Sequence, residues 1–233
     1  MARTRLLLLP GMDGTGRMFA PLIACLSPKI EARAITYPGD ASLGYAELKI
    51  LVERSLPAAG DYLLLAESFS GPLALEIAAG HPAGLRGLIL AASFASSPLS
   101  WLPRWSHVLA RPWLFGGLGF GPRLALGLGQ CPPAITPLLR EALASVAPVV
   151  LARRAREVLA CEPPRDHEAL RDVPALVLAA RRDRLIGRRQ VDALQALLPR
   201  AQVEWIDAPH LILQARPDTA AEKIATWMAS QGA

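Results

Sequence analysis

The sequence predicts an α/β fold: a mostly parallel sheet of about six strands flanked by helices, with a helical segment inserted ahead of the last two strands. Three observations carry this. Short apolar runs without polar alternation, as in strands buried on both faces, recur along the chain. Helical stretches separate consecutive runs, the pattern of parallel βαβ units. Between residues 94 and 172 the alternation stops, and prolines, glycines and aromatics punctuate the chain instead. A chain of 233 residues is long enough to bury the core of one such domain.

The first strand candidate, residues 5–9, has its apolar part at Leu6 to Leu9, after Arg3 and Arg5. Its apolar part is too short for a signal peptide, and Pro10-Gly11 follows with no cleavage-type segment, so it reads as a buried strand. Further strands are expected at 32–36, 61–66, 85–91, 175–180 and 202–207, and helices near 19–25, 46–55, 71–79, 191–198 and 219–230. Residues 1–93 and 173–233 thus form the core. Residues 94–172 form the insertion, with its most regular helices between 135 and 159.

Composition narrows the partners. The formal net charge is +5, but the arginines are scattered, and their densest clusters (Arg153-Arg154-Ala155-Arg156 and Arg181-Arg182-Asp183-Arg184) are short. No basic stripe with interleaved aromatics is present, which argues against nucleic acid. No apolar run is long enough to span a bilayer, so stable membrane insertion is not expected. Cys25, Cys131 and Cys161 stand alone, without metal-like spacing, and read as buried thiols of a cytoplasmic protein. The sequence calls for no metal and no cofactor. Its oligomeric state is not legible.

Four places carry chemistry. Residues 62–65 are an apolar run that breaks at Ala66-Glu67-Ser68-Phe69-Ser70-Gly71, and a buried helical stretch follows at once. A strand that turns into a helix within a few residues needs small side chains at the corner, and a serine there is held exposed above the sheet. The usual pattern is G-x-S-x-G; here Ala66 and Ser70 stand in the glycine places. The loop Pro10-Gly11-Met12-Asp13-Gly14-Thr15-Gly16 directly follows the first strand. It lacks the Lys-Ser/Thr ending of a phosphate loop and the G-x-G-x-x-G spacing. A plain turn and a loop that aims a backbone N–H at a substrate carbonyl both remain open, and in the second case Gly11 and Asp13 are candidate substrate contacts. Asp183 follows the strand at 175–180, and His210 follows the strand at 202–207, both at the edge where such sheets bind ligands.

A serine hydroxyl becomes a good nucleophile only when a neutral imidazole takes its proton, and the imidazole needs a carboxylate to fix its tautomer. Ser68, Asp183 and His210 supply the three types. Ser70, Asp207, His81 and His107 are the rivals. Pro72 crowds the corner after Ser70, His81 lies at the far end of the helix after Ser68, and Asp207 competes directly with Asp183. Asp172 precedes its strand and lies at the wrong end of the sheet. His167 reads as a surface residue. In the insertion, Trp101, Trp105, Trp113, Phe115 and Phe120 fall within a short span and form either an apolar acyl or aryl pocket or the glue of the insertion. His107 is placed to touch a substrate there.

Taken together, Leu9 to Gly16, Ala66 to Gly71, Arg182 to Ile186 and Pro209-His210-Leu211 resemble the α/β-hydrolase superfamily over essentially the whole chain. They are most similar to its cap-bearing carboxylesterase-like branch, which includes pimeloyl-ester carboxylesterase and phytyl-ester-synthase-type acyl-ester enzymes. The resemblance implies an α/β-hydrolase fold with a helical cap. It also implies Ser68 as nucleophile, His210 as general base and then acid, Asp183 as its orienter, and the Met12 and Phe69 N–H groups as the oxyanion hole. The implied substrate is a small-molecule carboxylic ester or thioester of an apolar acyl group. Acyl transfer to an alcohol, lyase chemistry with the same residues, and a non-catalytic ligand-binding descendant are the alternatives. Pro10 stands where many relatives carry histidine, and the two leading antiparallel strands of the full fold are expected to be missing.

Overall fold

The computed structural model describes residues 3–99, 103, 108, 110–115 and 131–231. Among these, six strands form one all-parallel sheet in the order β2-β1-β3-β4-β5-β6. They are β1 (Thr4–Leu9), β2 (Ile30–Ala34), β3 (Tyr62–Glu67), β4 (Leu85–Ala91), β5 (Ala175–Ala180) and β6 (Ala201–Ile206). β3 and β5 are buried along their whole length, which is why their sequences are apolar without alternation. β2 is an edge strand with an intermediate–exposed alternation, so Glu31 and Arg33 sit in it without cost to the core. It runs two residues earlier than the pattern 32–36 implied.

Successive strand residues face opposite sides of the sheet and fill two apolar layers. Leu7, Leu9, Leu64, Leu88, Leu90 and Val177 pack in one layer with helices α2 (Tyr45–Ser55), α3 (Gly71–Ala79) and α6 (Arg188–Leu197). Leu6, Leu8, Leu63, Leu65, Ile89, Leu176 and Leu178 pack in the other against α1 (Ala20–Cys25), the short α7 (Ile212–Ala215) and α8 (Pro217–Ser230). The sequence reading starts α6 three residues late, because Arg188-Arg189-Gln190 is polar on a first turn that is only partly covered.

Between β4 and β5 the described residues hold no strand. They form helices α4 (Thr136–Ala144) and α5 (Pro148–Ala160) and short 3-10 turns at Pro112–Leu114 and Glu168–Leu170. Phe115 is buried in the first apolar layer, whereas Trp113 is 74% exposed. Trp101, Trp105, His107 and Phe120 lie outside the described residues. The cysteines correct one expectation: Cys25 is exposed, and Cys131 and Cys161 are only half-buried. Cys25 ends a six-residue helix whose one buried residue is Leu22, so its apolar character does not carry it into the core.

The sheet order places the site. The chain leaves β1 toward β2 on one side, then crosses back to β3 on the other, so the loops after β1 and β3 diverge from adjacent strands. The strand ends are level: Leu9 pairs with Ala66, Glu67 with Ala91, and Ala180 with Ile206. Loops leaving these ends therefore meet above a single edge. Among the described residues no helix is long and apolar enough to cross a membrane.

Candidate active site

Ser68 is the first residue past β3 and has a φ of +47°, a left-handed conformation that a residue with a Cβ adopts at a cost of roughly 1–3 kcal/mol. Close packing holds it there. A Cβ on Gly71 would lie 1.7 Å from Ser93 Oγ and 2.9 Å from Ser93 Cβ, so only glycine lets α3 approach β4 this closely. Ser93 Oγ uses that approach to donate to the Ser68 carbonyl at 2.7 Å.

His210 follows β6 and is buried with its ring over the edge. Its Nε2 lies 2.9 Å from Ser68 Oγ, and its Nδ1 lies 2.7 Å from Asp183 Oδ2. A carboxylate can only accept, so Nδ1 carries the proton and Nε2 is left to accept from Ser68. The other Asp183 oxygen, Oδ1, accepts from the N–H groups of Leu185 (2.8 Å) and Ile186 (2.9 Å). The Asp183 side chain is fully enclosed, and those two main-chain bonds fix its rotamer. Burial by itself would pull the His210 pKa down. The Asp183 carboxylate, through charge and hydrogen bond, and the nearby Glu67 carboxyl outweigh it and hold the pKa above its ordinary value. A hydroxyl bonded to an imidazole that is in turn bonded to a carboxylate can give up its proton to the ring.

The rivals stand elsewhere. Asp207 is 69% exposed in its side chain and pairs with Arg182 Nε at 2.8 Å on the surface. His81 and His167 are exposed, as is Asp172. Ser70 is fully buried beneath the elbow. Its hydroxyl donates to the Pro10 carbonyl and accepts from Tyr37 Oη at 2.7 Å. The serine in the second glycine place thus ties the β3 corner to the β1 loop.

In that loop, Gly14 N–H donates to the Gly11 carbonyl at 3.0 Å, closing a turn around Met12 and Asp13. The Asp13 carboxylate is buried and accepts from the Thr15 N–H at 2.9 Å and from the Thr15 hydroxyl. The carbonyls beside the two candidate oxyanion donors are both held. Arg154 Nη1 donates to the Met12 carbonyl at 3.0 Å, and Tyr45 Oη donates to the Phe69 carbonyl at 2.7 Å. The Tyr45 ring also stacks on Phe69 with centroids 4.8 Å apart.

Close enough to His210 for their charges to interact lies Glu67, a buried carboxyl that the sequence reading did not single out. Gln214 Nε2 donates to its Oε1 at 2.9 Å and to the Met18 carbonyl at 3.1 Å. Burial pushes the Glu67 pKa up to about 7; the Gln214 hydrogen bond and His210 pull against this, and the Asp13 charge adds to it. Tyr37, Tyr45, Ser93, Gln214 and Arg154 were also missed. For Arg154 a signal existed: it sits one helical turn beyond Val150 and Leu151, on the apolar face of α5, where a surface arginine would not fall. Among the described residues no cluster of three His, Cys, Asp or Glu side chains could hold a metal ion.

Comparison with known proteins agrees with this fold. MenH from S. aureus superposes with a TM-score of 0.80 at 18% identity, covering 100% of this chain and 96% of that one. The enol-lactonase from Burkholderia xenovorans LB400 gives 0.75 at 18% identity, over 98% and 92% of the two chains. A thermophilic esterase from Thermogutta terrifontis gives 0.70 at 20% identity, over 99% and 91%. At these identities the likeness establishes the fold. No curated protein sequence matches the chain. The model of the alpha/beta hydrolase family matches residues 6–223, nearly the whole length, and the chain belongs to that family.

Proposed function

We propose that the protein is a serine hydrolase that cleaves carboxylic esters, including thioesters, of small to medium apolar acyl groups. The observation that carries this is the hydrogen-bonded series Ser68–His210–Asp183 (2.9 and 2.7 Å), with Ser68 held at positive φ above the sheet edge. In the first step Ser68 Oγ bonds to the ester carbonyl carbon as its proton passes to His210 Nε2. The carbonyl electron pair moves onto oxygen, and the N–H groups of Met12 and Phe69 receive it. Asp183 stabilises the imidazolium. The tetrahedral species then collapses, the bond to the leaving alcohol breaks, and that alcohol takes the proton from His210. Water repeats the sequence in reverse on the acyl-enzyme, releasing the acid and restoring Ser68. No step consumes an oxidant or a reductant.

The insertion between β4 and β5 acts as a cap that supplies the acyl pocket, with the buried Phe115 as its described aromatic member. An apolar pocket gains about 0.8 kcal/mol, or roughly fourfold in binding, for each methylene it buries. In a p-nitrophenyl ester series kcat/KM should rise with acyl length, peak at short to medium chains, and fall when the cap wall is met. Shortening a lining aromatic to alanine should move the peak to longer chains. A flat or steadily falling profile, unchanged by any such substitution, would show that the cap does not form the pocket. Failure to hydrolyse any ester or thioester would remove the proposed activity itself.

A further inference from the structure

Helix α5 belongs to the insertion, yet one of its arginines is buried as a core side chain is. Arg154 is 2% exposed. Its Nη1 donates to the carbonyls of Met12 (3.0 Å) and Asp13 (2.7 Å), and its Nη2 donates to the Pro38 carbonyl at 3.2 Å. The guanidinium also stands 5.7 Å from the centre of the Tyr37 ring, whose hydroxyl bonds Ser70 below. Gly14, at a φ of +68°, leaves the space this takes, since a Cβ there would lie 2.3 Å from Nη1. One turn further along the same helix, Glu157 Oε2 accepts from the Tyr45 N–H at 3.0 Å. Tyr45 in turn donates its hydroxyl to the Phe69 carbonyl and stacks on the Phe69 ring. One face of one inserted helix therefore grips the backbone on both sides of the site, at Met12–Asp13 and, through Tyr45, at Phe69.

We propose that Arg154 is a positioning residue that sets the oxyanion loop, and that α5, through Arg154 and Glu157, holds both oxyanion donors in their working orientation. This rests on the reading above that the Met12 and Phe69 N–H groups receive the oxyanion. A buried guanidinium suits the task better than an ammonium, because its planar fork reaches three carbonyls at fixed angles. The Met12 N–H shares its peptide plane with the Gly11 carbonyl, which the Gly14 N–H holds; fixing the Met12 and Asp13 carbonyls pins the next two planes and so limits the Met12 rotations that would turn that N–H. The consequence is a dependence of the chemical step, rather than of substrate binding, on how the insertion is seated.

The test compares wild type, Arg154→Met, Arg154→Lys and Tyr45→Phe, with Arg140→Met, an exposed arginine of α4, as control. Misplacing one donor lowers kcat by about 10–100-fold, so Arg154→Met should lose that much kcat while KM stays within about threefold. Arg154→Lys should recover part of the loss, and Tyr45→Phe should lower kcat several-fold. A trifluoromethyl ketone adds Ser68 Oγ to its carbonyl carbon and places an oxyanion in the hole, so its inhibition constant should weaken in step with kcat/KM. Hydrogen exchange of the Met12, Asp13 and Gly14 amides should quicken in Arg154→Met while the core strands stay protected. The inference is overturned if Arg154→Met keeps kcat within twofold of wild type. It is also overturned if KM alone rises, which would make Arg154 a substrate contact, or if exchange quickens uniformly across the core. Should Arg154→Met fail to fold, Arg154→Lys and Tyr45→Phe decide, since both keep the packing. If wild type hydrolyses no ester, the assigned function has failed, and the exchange pattern still decides whether Arg154 orders the loop. If wild type is active and the variants match it, only the positioning role has failed.

Discussion

Glu67 offers a perturbation whose sign and size follow from its place in the structure. It is the last residue of β3, 4% exposed, with Gln214 on one oxygen and no cation among the groups that shift it except His210. Burial raises its pKa from the ordinary 4.5 to about 7. A pKa above the unfolded value means that the folded chain holds this proton more tightly. Its contribution to stability is therefore complete below pH 4.5 and is lost as pH rises through about 7. At about 1.36 kcal/mol per pH unit, the displacement from 4.5 to about 7 corresponds to roughly 3 kcal/mol. Glu67→Gln removes the titration but keeps a carbonyl oxygen able to accept from Gln214. The variant should match wild type within about 1 kcal/mol near pH 4.5 and exceed it by roughly 2–3 kcal/mol near pH 8.5. For a chain of this size that corresponds to a gain of roughly 4–12 °C in Tm appearing only on the alkaline side. Urea unfolding followed by circular dichroism at the two pH values measures it. An equal stability difference at both pH values, or a variant that weakens as pH rises, would refute the reasoning.

Other outcomes follow from the same geometry. Asp183→Asn should lower kcat by up to about 10⁴-fold, because an amide facing Nδ1 favours the wrong tautomer, whereas Asp207→Asn, which only loosens a surface pair with Arg182, should leave activity within about twofold. Reversed effects in steady-state kinetics would make Asp207 the acid. The acid limb of kcat/KM should lie above pH 6.5, since Asp183 and Glu67 raise the His210 pKa and activity needs the neutral ring; a limb below 6.5 contradicts this. Ser70→Ala strands the buried Tyr37 hydroxyl and the Pro10 carbonyl, and should reduce stability by about 1–3 kcal/mol in denaturant titration while leaving a nucleophile in place at Ser68.

How far the sequence discloses this molecule depends on the range of the interaction. Strands β3 and β5 are legible because burial on both faces writes an unbroken apolar run, and the corner at Ser68 because a strand meeting a helix needs small residues. The order Ser68, Asp183, His210 is legible because each follows a strand end on the same edge. β2 is less so: at an edge its charges are tolerated, and Glu31 and Arg33 obscure its start. The burial of Arg154 is legible from its place on the apolar face of α5, but the partners of the site's supporting residues are not legible in local pattern. Arg154 meets Met12 across 142 positions and Gln214 meets Glu67 across 147, and no periodicity specifies such meetings. Ser70 reads in sequence as a flawed glycine place, and its use becomes visible only once β1 and β3 are adjacent and Pro10 stands within reach.

The most direct test of the account is covalent. The protein is treated with a fluorophosphonate, its intact mass is measured, and the labelled peptide is sequenced. Ser68 Oγ, deprotonated by His210, should displace fluoride and add one phosphonyl group per chain, mapping to Ser68. The Ser68→Ala variant, folded by circular dichroism, should take up none. A label on Ser70, or no label on a folded wild-type protein, would contradict the assignment of Ser68 as the nucleophile.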